Sequence, residues 1–180
     1  LRSRIEPATR ATIEEVDGVA ATYGFGVALV GAEIPGESEI ADAAVLGYEG
    51  NVDGVPAPPA PGTAWADRSL EAAGVEEGDT IRVGPTRIPL EVVGWVEDTN
   101  YLQQGGLWVE PGTWREVLAE SRPGAAVGDD VFQNVWVELA DGAKADTVAA
   151  AIDDATGTTE TITRDEAVLA LPGIKEQNSI

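Results

Sequence analysis

The run from Gly74 to Asp98, G-V-E-E-G-D-T-I-R-V-G-P-T-R-I-P-L-E-V-V-G-W-V-E-D, constrains this chain more than any other stretch, because its pattern is that of a β-hairpin. Ile81 and Val83 alternate with Arg82 and Gly84, the period-2 pattern of a half-buried strand. Gly84-Pro85-Thr86-Arg87 breaks the run, since Pro fixes φ and Gly tolerates φ > 0. Ile88, Leu90, Val92 and Val96 are expected on one face of a longer return strand, and Gly78-Asp79 leads into the first strand through a tight turn. The spacing predicts a hairpin over 79–97. It is a scaffold signal and carries no chemistry of its own.

Upstream, Ile5, Ala8, Thr12 or Ile13, and Val16 recur at helical spacing, with Gly18 as a stop. Val19–Ala32 reads as a strand. Its Gly24-Phe25-Gly26 lacks the third glycine of a nucleotide fingerprint, so the glycines mark a bulge or a close approach to the backbone. After a turn at 34–39, Ile40–Tyr48 is a second strand with Ala41, Ala43, Val45 and Gly47 on one side. Pro56, Pro58, Pro59 and Pro61 make 50–62 an extended connection, where a subdomain boundary is expected. Asp67 is placed to cap a short helix, Arg68–Ala73.

Downstream, Leu107–Val109 reads as a brief strand, and Pro111 suits the first position of a helix through Ala119. Thr113 with Glu116 offers a capping box one turn in, and Trp114, Val117 and Leu118 are expected in the core. A strand at Val131–Leu139, a helix carrying Ala145, Val148, Ile152 and Ala155 up to Gly157, and a strand at Thr158–Ile162 predict a βαβ unit over 131–163. Thr163 and Glu166 form a capping box for a last helix bearing Val168, Leu169 and Leu171, stopped by Pro172-Gly173.

Composition removes whole classes of function. With no His and no Cys among 180 residues, imidazole bases, thiol nucleophiles and the usual zinc and iron ligands are excluded. There is no G-x-S-x-G elbow, no Walker A sequence and no calcium loop. The net charge of −21 makes nucleic acid and anionic membrane surfaces poor partners. The 32 acids are scattered, as on a solvated acidic surface, so a catalytic carboxylate pair cannot be picked out. No cofactor or metal is expected. No run of about 18 apolar residues spans a membrane, and the chain, which begins without Met, reads as an excised piece.

Thr99–Gly106, T-N-Y-L-Q-Q-G-G, is a polar loop with an apolar pair at its centre. Tyr101 and Leu102 are either tucked under it or offered to a partner, and Tyr101, Leu102, Gln103 and Gln104 are the candidate partner contact.

Several pieces together carry a family resemblance: A-D-R-S-L-E-A-A-G-V-E-E-G-D-T-I-R-V (66–83), P-L-E-V-V-G-W-V-E-D-T (89–99), Y-L-Q-Q-G-G-L-W-V (101–109), W-R-E-V-L (114–118) and A-V-L-A-L-P-G-I-K-E-Q-N (167–178). In this order the chain resembles the extracytoplasmic domain of a MacB-like, FtsX-like ABC-transporter permease, particularly the actinobacterial ones. The resemblance implies an α+β fold, with a Porter-like βαβ subdomain at 1–50 and 131–180 and an inserted, β-rich Sabre-like subdomain at 51–130. One departure is that no strand precedes the first helix. It also implies a non-catalytic module at the extracytoplasmic face of the membrane, transmitting ATP-driven movement or recognising a substrate or partner protein. Its partners would be a cytoplasmic ATP-binding subunit, a second permease copy and an unknown extracytoplasmic protein or substrate. The isolated domain is expected to be monomeric. The alternative is a free-standing secreted binding or adhesion domain.

Overall fold

A computed structural model of the chain describes residues 3–99 and 104–166. The fold is α+β. Its elements are α1 (Pro7–Glu14), β1 (Val19–Glu33), β2 (Ile40–Tyr48), β3 (Thr63–Asp67), α2 (Ser69–Ala72), β4 (Thr80–Val83), β5 (Ile88–Val96), β6 (Gly105–Val109), α3 (Pro111–Ser121), β7 (Asn134–Leu139) and α4 (Ala145–Thr156), with a 3-10 turn at Pro123–Ala125. Among the described residues, no helix is long and apolar enough to cross a membrane.

The hairpin forms as expected, with Thr80↔Glu91 through Val83↔Ile88 paired antiparallel. It is one part of a closed ring. β1 pairs antiparallel with β2 from Phe25↔Tyr48 to Glu33↔Ile40. β2 runs parallel to β6, β6 antiparallel to β3, and β3 parallel to β5. β4 then returns to β1 through only two residue pairs, Ala32↔Val83 and Glu33↔Arg82. Six strands thus close on themselves, and β7 extends the sheet beside β1. Closure leaves the ring without a free edge except where that last seam is short.

The inside of the ring is filled by alternate residues: Ala28, Val30 and Ala32 from β1, Ala43 and Val45 from β2, Ile81, Val83, Leu90 and Val92 from the hairpin. Trp114, Val117 and Leu118 of α3 join this core, as their spacing predicts. The opposite face of β2 packs a second cluster, in which Ala44, Leu46 and Tyr48 meet Phe25, Val96 and Trp108. That 43–48 of β2 is buried on both faces explains why this part of the strand is an unbroken apolar run. Val96 does not share a face with Leu90 and Val92, as the alternation suggested. The β3–β5 register steps from Ala64↔Val92 to Trp65↔Gly94, so Val93 is an extra, bulged residue and the side chains beyond it change sides.

Packing divides the chain into two units: residues up to Glu6 with Tyr23–Trp136, and Pro7–Thr22 with the chain from Val137. In the first unit, β1 and β2 hydrogen-bond into the same ring as β3–β6. In the second unit, Ile13 of α1 and Val148 and Ile152 of α4 are buried. Gly18 is required between them: its φ is +92°, and a Cβ there would stand 2.7 Å from a Val148 methyl. Arg10 donates to the Thr22 hydroxyl (2.9 Å) and carbonyl (3.0 Å), while that hydroxyl donates to Glu14.

Two expectations are corrected. Residues 158–162 form no strand, so the βαβ unit over 131–163 is not completed. The Thr159 hydroxyl is hydrogen-bonded to that of Thr156, holding the chain against the end of α4, and Ile162 is exposed rather than packed in a core. The capping box after it does form, with the Thr163 N–H donating to Glu166 and the Glu166 N–H to Thr163; the rest of that helix lies outside the described residues. The second correction concerns α3. Glu110, not Thr113 with Glu116, caps it: its carboxylate accepts from the Gly112 N–H at 2.7 Å and the Thr113 N–H at 2.5 Å. The Thr113 hydroxyl instead donates to Glu110 and accepts from the Gly62 N–H, tying the helix start to the strand entry of β3.

Candidate functional site

Of the four residues singled out as a partner contact, Tyr101, Leu102 and Gln103 lie outside the described residues. Gln104 is half-buried at the start of β6, and its side-chain oxygen is buried without a hydrogen-bond partner among the described residues. The chain on either side of the segment is fixed. Asp67, at the end of β3, accepts the Thr99 N–H at 2.9 Å and the Thr99 hydroxyl at 2.7 Å with one oxygen. Its other oxygen accepts the Ser69 N–H, which opens α2. Burial acts to raise the Asp67 pKa, but the hydrogen bonds from Ser69 and Thr99 outweigh it and hold the carboxyl below its ordinary value. Sequence reading gave Asp67 its capping role and missed its second one, because the Thr99 partner is 32 residues away.

On the far side, Gly105 faces Leu70 and Gly106 faces Leu46, each so closely that a Cβ would stand 2.6 Å and 3.1 Å away respectively. Beyond them Trp108 enters a row of aromatic rings. Trp136 meets Phe25 edge to face at 5.3 Å, Phe25 lies 6.1 Å from Trp108, and Trp108 meets Tyr48 edge to face at 5.3 Å. Trp136 is half exposed while Tyr48 is fully buried, so the row leads from the surface into the second cluster. The Tyr48 hydroxyl donates to the Pro56 carbonyl and the Trp65 indole to the Ala57 carbonyl. The proline-rich connection is thereby held down onto this face. Burial pushes the Tyr48 hydroxyl up to about 12, so it stays protonated and donating through the neutral range.

This arrangement can hold a loop and offer an aromatic edge; it presents no nucleophile paired with a base. Sequence reading missed the row because Phe25, Tyr48, Trp108 and Trp136 stand on four different strands. Only strand register brings Phe25 opposite Tyr48 and Leu46 beside Trp108.

No family model and no curated protein matches the sequence. Solved structures do match the backbone. The extracellular domain of the noncanonic ABC-type transporter YknZ from Gram-positive bacteria has a TM-score of 0.57 at 15% identity, over 87% of each chain. The periplasmic region of MacB from Actinobacillus actinomycetemcomitans has a TM-score of 0.60 at 12% identity, over 98% of this chain and 84% of that one. At such identities the likeness is one of fold. The chain has the α+β fold of the extracellular and periplasmic domains of MacB- and YknZ-type ABC transporters.

Proposed function

We propose that this chain is the extracytoplasmic domain of a MacB-like ABC-transporter permease, a non-catalytic module that follows ATP-driven movement and contacts a partner outside the membrane. The observation that carries the reading is the fold match extending over 98% of the chain, rather than over one shared motif. In this reading 1–50 and 131–180 make up the Porter-like part of the domain and 51–130 the Sabre-like part. A cytoplasmic ATP-binding subunit and a second permease copy supply the energy and the pairing. The 101–104 segment is the proposed partner contact, because Asp67 at one end and β6 at the other fix its flanks.

The test is to co-express the full-length gene product with its ATP-binding subunit and replace residues 3–166 by a Gly/Ser linker. ATP hydrolysis by the cytoplasmic subunit is expected to persist while transport-coupled function is lost. Retention of that function after replacement would overturn the reading, as would a gene product without apolar helices flanking this domain. For the contact, Tyr101→Ser combined with Leu102→Ser is expected to weaken partner capture and leave melting unchanged; a loss of several degrees assigns the pair to the core instead.

A further inference from the structure

The ring's β4–β1 seam leaves a cleft. On one edge of β1, the Val27 N–H donates to the Gln133 side-chain oxygen at 2.7 Å and the Val27 carbonyl accepts from the Gln133 amide at 3.1 Å. Further along the same edge, the Gly31 carbonyl accepts from the Gly84 N–H at 2.9 Å. Backbone alternation puts the N–H and C=O of Leu29 on that edge between the two anchors. There a hollow of about 450 Å³ opens between the end of β1, the β4–β5 turn and the last turn of α3. Its volume is in the range of ligand sites.

The charged residues around it are Arg82, Arg87 and Glu33. In a chain of −21 this is a local cationic exception. Arg87 is already shown a carboxylate, with its guanidinium 2.6 Å from Glu33. Arg82 has no ion pair or side-chain hydrogen bond among the described residues. Arg87 has a φ of +58°, where the turn would take glycine or asparagine at less cost. Leu29, Pro85 and Ile40 give the cleft an apolar wall, and Ile40 is 70% exposed. Beneath it the Ser121 hydroxyl is buried, without a hydrogen-bond partner among the described residues. A neighbouring hollow of about 560 Å³ shares Glu33, Ile40 and both arginines but adds Glu37 and Glu39, so the cationic half is the one over Ser121.

We propose that this cleft binds an extended peptide segment carrying an acidic side chain next to an apolar one. The carboxylate meets Arg82 in the charge-assisted geometry that Arg87 makes with Glu33. The apolar neighbour lies against Leu29 and Ile40, and the Leu29 edge takes the passing backbone. The inference rests on the cleft alone and does not depend on the domain belonging to a transporter.

The test is an amide-shift NMR titration of the chain with Ac-Leu-Glu-Leu-NH2, blocked at both ends so that its one carboxylate is the side chain. Saturable shifts are expected at Leu29, Gly31, Gly84 and Arg87. Arg82→Gln, an exposed substitution, should weaken binding about tenfold, as should the probe Ac-Leu-Gln-Leu-NH2, since one charge-assisted hydrogen bond is at stake. Equal affinity for the glutamine probe would mean an apolar groove only. Equal affinity for inorganic phosphate would mean an undifferentiated anion site. Either result, or the absence of saturable shifts, overturns the proposal.

Discussion

Gly26 and Gly47 are cross-strand partners in the ring, and the side chain of Trp114 lies on both. A Cβ on Gly26 would stand 2.0 Å from the indole, and one on Gly47 would stand 2.3 Å from the Trp114 Cβ. Phe132 repeats the arrangement over Gly24, and the two rings are stacked parallel, 5.9 Å apart. The glycines that weaken β1 as a strand are thus the seat for the helix that covers it.

Gly26→Ala should therefore destabilise by overpacking, by about 1–3 kcal/mol. Trp114→Ala should cost about 3–5 kcal/mol through the cavity it leaves. Because one contact is counted in both, Gly26→Ala combined with Trp114→Ala should cost less than the sum of the single changes. Urea denaturation of the four proteins reads this directly. Strict additivity would show that the close approach does not govern stability here.

Asp67 links folding to pH. Its carboxyl titrates below its ordinary value in the folded chain, so its contribution to stability is whole above the unfolded value of about 3.9. That contribution is lost as the pH falls through the lower, folded value. Asp67→Asn should cost about 1.5–3 kcal/mol at pH 7, the range for hydrogen bonds to a charged group. The variant should also lose less stability than the parent between neutral pH and pH 3. Parallel melting-versus-pH curves for the two proteins would remove Asp67 from this role.

The cap of α3 makes a separate prediction. Burial acts to raise Glu110, but donation from Thr113 and Gly112, with Arg115 nearby, holds it below its ordinary range. Glu110→Ala should cost about 1 kcal/mol as a lost N-cap. Thr113→Val should add the loss of the Gly62 tie, which Glu110→Ala leaves in place. Thermal melts separate the two: an unchanged melting temperature in Thr113→Val would mean that the tie contributes nothing.

What the sequence made legible was local. The hairpin, the Pro111 helix start, the Gly157 stop and the Thr163 box are read from neighbours within a few residues, where propensity and capping decide. The closed ring was not legible, because β2 with β6 and β3 with β5 pair in parallel across long separations that leave no short-range signature. The Val93 bulge was hidden for a related reason: the β3 partner, not β5 itself, makes it an extra residue. Thr158–Ile162 misled through its β-prone threonines; Thr159 bonds locally to Thr156, and the segment forms no strand. Of the candidate contact, the sequence showed the apolar pair Tyr101-Leu102 but not the Asp67–Thr99 anchor beside it.

Charge gives the last prediction. The chain carries 32 acids against 11 basic residues. The ion pairs that form are mostly exposed, such as Arg68 with Glu71 and Glu97, and Arg87 with Glu33. Each is worth about 0–1 kcal/mol, so their weakening by salt is a small loss. Self-repulsion among the unpaired acids acts over the whole molecule and is present at neutral pH. Raising NaCl from about 0.01 M to about 0.1 M shortens the screening length from about 30 Å to about 10 Å, which relieves that repulsion more than it weakens contacts of about 3 Å. The melting temperature should rise by a few degrees over this interval. At pH 4, where many carboxylates are protonated and fewer like charges remain, the same salt step should raise it less. A fall in melting temperature with salt at pH 7 would mean that the few ion pairs outweigh the net charge.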